Sequence, residues 1–383
     1  MSSPRSAIVG SCVLACAVCR VVGGDTGEWR VDDARTRDDA RVVGLLRQLE
    51  ESRSRALDHA RLRVGLSPGR LPIEWRVVAS REGPGGSGVF HAGETLVEDA
   101  RVVVSIPANR YLSVPRKVDA VVVHEVTHGL LASRLGSASR YSGVPPWFRE
   151  GLALLVSDEG PSRVEDRVAV TVVAGGNPAS FLRGLAHLPL PAESFLAVSR
   201  LEKRVGPSAF RGLLARVASG RALGPELTEL LGVEPEAFHR GMLEAGRDHV
   251  RRLLSTRVVE DYRAAIELHR NGERDPARLR FGELASSRNR HALRATCRYL
   301  HTRLLVDDGR TREALAVFRA SLLGDREILW EPEILEQLGN CELALNRPRR
   351  AGRYWKQALE RFPEDRAVRS RVCTKLGELP AGR

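Results

Sequence analysis

Residues His124-Glu125-Val126-Thr127-His128 place two imidazoles four positions apart, with a carboxylate beside the first. On a helix this spacing puts both rings on one face, one turn apart, where they can grip a single metal ion. Glu125 then stands next to the ion, placed to handle the proton of a water that the ion acidifies. A catalytic zinc usually takes three protein ligands and keeps a fourth position for water, so a third ligand is required. A third histidine shortly after a glycine turn is excluded, because Leu131 and Arg134 stand where that glycine and histidine would be. Glu150 fits instead. Pro145 and Pro146 stop the chain, and residues 147–155 start a second apolar helical run with Glu150 expected in its first turn. Asp119, His91, Asp158 and His187 are weaker ligand candidates.

These side chains need elements to hold them. Residues 118–135 are apolar almost all round when read as a helix, the pattern of a buried core element. A buried carboxylate costs several kcal/mol unless it is paired, and a shared ion satisfies it together with both rings. Gly129 and Gly151, each directly after a ligand, are expected to let the two helices approach closely enough to share one ion. Upstream, 73–80 and 101–107 are β-branched runs flanked by turn residues, and read as strands. Between them 82–88 is a glycine-rich turn or flap; no Gly-Lys-Ser/Thr comes after it, which excludes a phosphate-binding loop. Residues 38–66 read as one helix with arginine-rich exposed faces, and 196–250 as all helical with breaks at Gly206-Pro207 and 220–225.

An HExxH followed by Pro-x-Trp-x-x-Glu-Gly-x-Ala resembles the peptidase MA-like gluzincins, which are zinc-dependent metallopeptidases. The residues that carry the resemblance are His124, Glu125, His128, Pro145, Trp147, Glu150, Gly151 and Ala153, and it spans residues 71–250. It implies an α+β fold, a small β-sheet plus active-site helices, with one Zn2+ per chain. It makes His124, His128 and Glu150 the ligands and Glu125 the general base in peptide-bond hydrolysis. It also implies that strand 101–107 is the sheet edge over the zinc, where an extended peptide substrate would add to the sheet by main-chain hydrogen bonds. Two positions depart from the family. Leu154 stands where an acidic residue often orients a zinc-bound histidine, and 191–194 lack the tyrosine found in many relatives. Tyr141 and His187 are the candidate donors to the transition-state oxyanion.

The last third is a different module. Ala277 and Phe281, Ala314 and Phe318, and Ala351 and Trp355 recur with a period of 37 residues. Gly272, Gly309 and Asn346 recur five residues before each alanine, where residues that tolerate a left-handed backbone make a turn between helices. The copy from Leu338 to Pro363 resembles a tetratricopeptide repeat, and such arrays present a surface for protein or peptide partners. The expected organisation is therefore a leader at 1–24, a helical segment at 25–70, a zinc metallopeptidase-like domain at 71–256 and helical repeats at 257–379.

A net charge of +12 and a pI near 10.1 suggest an anionic partner, yet 56 of the 60 basic residues are arginine, dispersed among acids along the chain. No aromatic-interleaved basic patch or DNA-binding motif is present, so arginine-biased codon usage accounts for the charge and no nucleic-acid partner is expected. At the N-terminus, Arg5 precedes an apolar run over 7–18, the layout of a secretory signal peptide too short to span a bilayer. The chain is accordingly expected to be exported to a bacterial cell envelope or periplasm, or secreted. Val13-Leu14-Ala15-Cys16 weakly resembles a lipoprotein cleavage box, so a lipid on Cys16 is the one membrane attachment considered. Cys12, Cys16 and Cys19 lie in that leader; the odd set Cys297, Cys341 and Cys373 argues against a disulfide framework, with Cys341 expected to be buried. The competing reading is an envelope scaffold whose peptidase-like region has weak or lost activity.

Overall fold

The computed structural model describes residues 29–31, 40–78, 94–98, 101–108, 118–173, 191–233, 256–286, 291–323, 330–362 and 365–379, together with a few positions between 237 and 249. The chain is α+β: a four-stranded mixed sheet accompanied by a helical majority. Strands β1 (Trp29–Val31), β2 (Ile73–Val78), β3 (Glu94–Glu98) and β4 (Arg101–Pro107) lie in the order β1-β2-β4-β3. The first three neighbours in that order run parallel, and β3 returns antiparallel to β4 with Thr95 opposite Val104. Helices α1 (Ala40–Val64) and α2 (Val118–Leu135) pack together beside the sheet.

Parallel strands covered by helices read as continuous apolar runs, and β4 does so: Val102, Val103, Val104 and Ile106 are all buried. The central position of β4 corrects the expectation that 101–107 is the edge. It is flanked by β2 and β3, so its main-chain groups are already paired, and β1 and β3 are the edge strands, β3 being the one beside β4. The described elements of segment 25–70 pack with the sheet and helices beyond residue 70. Its β1 pairs with β2, its α1 packs on α2, and the Arg53 guanidinium lies 5.5 Å over the Trp75 ring.

Helix α2 ends where Gly136 turns left-handed at φ 75°, and the next helix, α3 (Ala138–Gly143), starts at once with the Ser137 side chain accepting from the Arg140 amide. After it come α4 (Pro146–Val156), with Pro146 at its first position, α5 (Gly160–Val173), α6 (Pro191–Val205), α7 (Pro207–Ala218) and α8 (Leu223–Leu231). The breaks at Gly206 and Gly220, both at positive φ, fall where the sequence places them.

The last third forms three helix pairs and a terminal helix: α9 (Thr256–Arg270) with α10 (Arg274–Ser286), α11 (Arg294–Asp307) with α12 (Thr311–Leu323), α13 (Glu331–Ala344) with α14 (Pro348–Arg361), then α15 (Arg366–Gly377). Gly272, Gly309 and Asn346 have φ of 82°, 74° and 57°. Each turn closes by the same backbone bond, from Glu273 to Leu268, Arg310 to Leu305 and Arg347 to Glu342, at 2.9, 2.8 and 2.9 Å. The paired small and aromatic residues of the 37-residue period are all buried, as is Cys341.

Helix α15 is held to the array through Glu336, buried on α13, which accepts from Arg371 at 2.7 Å and Lys375 at 2.6 Å. Burial by itself would raise the Glu336 carboxyl, but these two cations outweigh it and hold it below the usual 4.5. A depressed carboxylate contributes stability that is present above its unfolded pKa and lost as pH falls through the folded value. Glu336→Gln should therefore melt a few degrees below wild type at pH 7. In a thermal melt monitored by circular dichroism, that gap should close as pH drops below about 4.

Candidate metal centre

Every described side chain of the centre comes from residues 95–159. Helix α2 contributes His124, Glu125 and His128 from one face, and α4 brings Glu150 across to meet them. Glu150 is the fifth residue of α4 rather than part of its first turn, since the helix begins at Pro146. The His124 and His128 Nε2 atoms stand 3.2 Å apart. Glu150 Oε2 is 3.6 Å from the first and its Oε1 is 3.4 Å from the second.

The expected role of the two glycines changes in the structure. A side chain at Gly129 would meet Val104 at 3.1 Å, so this glycine fits α2 to the sheet. A side chain at Gly151 would meet the Ser194 carbonyl oxygen at 2.2 Å and Val198 at 2.5 Å, so this one seats α4 against α6. Neither separates the two ligand helices from each other. Close packing of α4 onto α6 sets the depth of Glu150 instead.

The donor set fits a small cation. Ligands bound tetrahedrally to zinc at about 2.0–2.1 Å stand about 3.3 Å apart, close to the three separations seen here. The environment has the matching charge. Burial opposes protonation of His124, yet its neighbours Glu150, Glu125 and Glu159 outweigh this and raise its pKa. Burial would raise the Glu150 carboxyl, but the two rings bonded to it hold it well below the usual carboxylate range. Two imidazoles and a carboxylate crowded into such a field accept a cation at their shared point. The three together can hold a metal ion, and their nitrogen and oxygen donors suit zinc.

Behind each ring, on the side of its Nδ1, lies a polar group. The Tyr141 hydroxyl, on α3, stands 3.3 Å from His128 Nδ1, and the Arg149 guanidinium lies 4.5 Å over the Tyr141 ring. Burial pushes that hydroxyl up to about 12 against the pull of Arg149, so it remains a neutral phenol beside Nδ1. Tyr141 is thus on the far side of the ring from the ligand point, where it positions His128. Behind His124, the buried Nδ1 lacks a hydrogen-bond partner, and Glu159 Oε2 lies just beyond bonding distance at 3.7 Å. Glu159 in turn is held by Ser157 at 3.3 Å and Arg163 at 3.4 Å.

Sequence reasoning looked for this acid at position 154 and missed Glu159. Residue 154 is buried leucine, while Asp158 adopts a left-handed φ of 56° that turns the chain after α4 and sends Glu159 back toward His124. An acidic pair just past the end of the helix was the one available signal. Of the weaker candidates, Asp158 is exposed beside that turn, and Asp119 is engaged with Ser52 and Arg55 instead. His91, His187 and the glycine-rich stretch 82–88 lie outside the described residues, as does the leader 1–24.

Glu125 is buried, and its Oε2 accepts a 2.9 Å hydrogen bond from the Thr95 hydroxyl on β3. This ties the edge strand to the carboxylate beside the ligand point, a contact that no sequence pattern announced. Searches of protein-family models, curated proteins and solved structures found no match to this chain.

Two outcomes test this arrangement. Gly151→Ala should cost about 1–3 kcal/mol in denaturant unfolding, because backbone atoms of α6 block the added methyl. Glu159→Gln and Tyr141→Phe should each weaken zinc binding about 10- to 100-fold in competition with a chelating dye, while melting near wild type without metal.

Proposed function

We propose that this chain is a zinc-dependent metallopeptidase of the gluzincin type, with Glu125 as general base. The observation that carries the reading is the convergence of His124, His128 and Glu150 on one point beside a separately held Glu125. When bound, zinc supplies a Lewis acid that acidifies a water and polarises a carbonyl. The chain's residues do the rest. Thr95 fixes one Glu125 oxygen and leaves the other to take a proton from the attacking water and pass it to the leaving amine. Burial of Glu125 among α2 and β3 keeps that transfer out of bulk solvent.

The free edge of β3 supports a peptide as substrate. Among the described residues its outer side carries no strand, and the strand's Thr95 touches Glu125. An extended chain adding there would be held by main-chain hydrogen bonds and so read little of the substrate's sequence. Export, with a lipid on Cys16 or free release, and a protein partner for the repeats complete the proposal. The scaffold reading is the weaker one, because a scaffold has no use for all four of His124, Glu125, His128 and Glu150.

Glu125→Gln should retain one zinc per chain by mass spectrometry and lose about 10²- to 10⁴-fold in cleavage of a peptide library. Glu150→Ala should lose the zinc itself. Wild-type hydrolysis by both variants would overturn the assigned roles.

A further inference from the structure

The outer face of α14 carries charge of one sign. Arg349, Arg350, Arg353 and Lys356 all stand exposed on it. Spacings of four and three residues keep Arg349, Arg353 and Lys356 in one row about 10 Å long, with Arg350 beside it. The helix's one acidic residue, Glu360, lies a turn farther on, and none of Arg350, Arg353 and Lys356 forms an ion pair among the described residues. The repeat itself does not ask for these charges. At the same four positions of the 37-residue period, α10 carries Asp275, Pro276, Leu279 and Gly282, and α12 carries Arg312, Glu313, Ala316 and Arg319. Arg319, the α12 counterpart of Lys356, is neutralised by the buried Glu342. Packing fixes the inner face of every copy, and only the last copy turns wholly cationic outside. Arginine-biased codon usage does not account for the row, since Lys356 is one of only four lysines in the chain.

We infer that this row docks the repeat array on an anionic lipid surface. Phosphate headgroups packed in a plane offer negative charge all along a straight row of cations, and each cation near such a surface adds to the attraction. The row is preformed, because α14 is clamped from within by Ala351, Trp355 and Ala358, all buried. Nucleic acid fits less well. Binding to a single strand draws on aromatic side chains that stack with bases, and the aromatics of α14, Tyr354 and Trp355, pack inward against the array. Docking here needs no lipid on Cys16 and no turnover at the metal centre, so the inference stands apart from the peptidase reading.

The test sediments the full-length chain with vesicles of mixed phosphatidylglycerol and phosphatidylcholine, and with vesicles of phosphatidylcholine alone. A net charge of +12 calls for a charge-matched control. Arg350→Gln/Arg353→Gln/Lys356→Gln is therefore compared with Arg47→Gln/Lys203→Gln/Arg204→Gln, which removes the same charge from exposed positions on α1 and α6. The anionic vesicles should hold the wild type and the control alike and the row variant about 10- to 100-fold more weakly, with wild-type affinity falling as salt rises. Equal losses in the two variants would reduce the binding to net charge and overturn the site. No binding to the anionic vesicles, or equal binding to the neutral ones, would overturn it too. If a single-stranded oligonucleotide binds the wild type more tightly than the vesicles at equal phosphate, and the row variant loses that binding, the partner is nucleic acid and the lipid assignment falls.

Discussion

Two ring nitrogens and a carboxylate oxygen pair meet at separations of 3.2 to 3.6 Å, and helices α2 and α4 are packed so as to hold His124, His128 and Glu150 in that crowding. Such a cluster needs positive charge among its members, either a proton on a ring or a cation at the shared point. Each feature nearby bears on this. Tyr141 fixes the His128 ring, Glu159 adds negative charge behind His124, and Gly151 lets α6 press α4 into place. The cost of assembling the cluster falls on packing elsewhere, in a core that runs continuously from the sheet into the first helix pair of the repeats.

How much of this could be read from the sequence depended on the range over which each feature is determined. Helix α2 could be read to its ends, because an apolar run of eighteen residues terminates at a glycine that takes the left-handed turn it alone takes easily. The repeat turns were legible for the same local reason. Strand β1, three residues long, and strand β3, five residues with a glutamate at each end, have too little periodicity to stand out. They exist because the sheet offers them partners. The edge position that the family resemblance implied for β4 belongs instead to β3 on that side of the sheet.

The site divides along the same line. His124, Glu125 and His128 belong to one helix, so their spacing carries their geometry. Glu150 needed a second helix of recognisable sequence. Glu159 and Thr95 reach the centre only through tertiary packing, one by way of a left-handed aspartate and the other through strand pairing, and no residue spacing encodes either. The two glycines illustrate the converse. Their requirement for close approach was correct in kind, but the surfaces they approach, the sheet and α6, are set by topology.

The division of the apolar interior into three clusters gives the C-terminal array a direction. The first helix pair, with Cys297 and Leu304 of α11, shares the interior of the sheet-bearing body, whereas α11, α12 and α13 enclose a second cluster and α13, α14 and α15 a third. In such a stack each layer is secured by its neighbours, so among the described residues the layers farther from the sheet open more easily than the first pair. Mechanically the chain is a fixed base with a zipper attached, whose far teeth can part while the base keeps its shape.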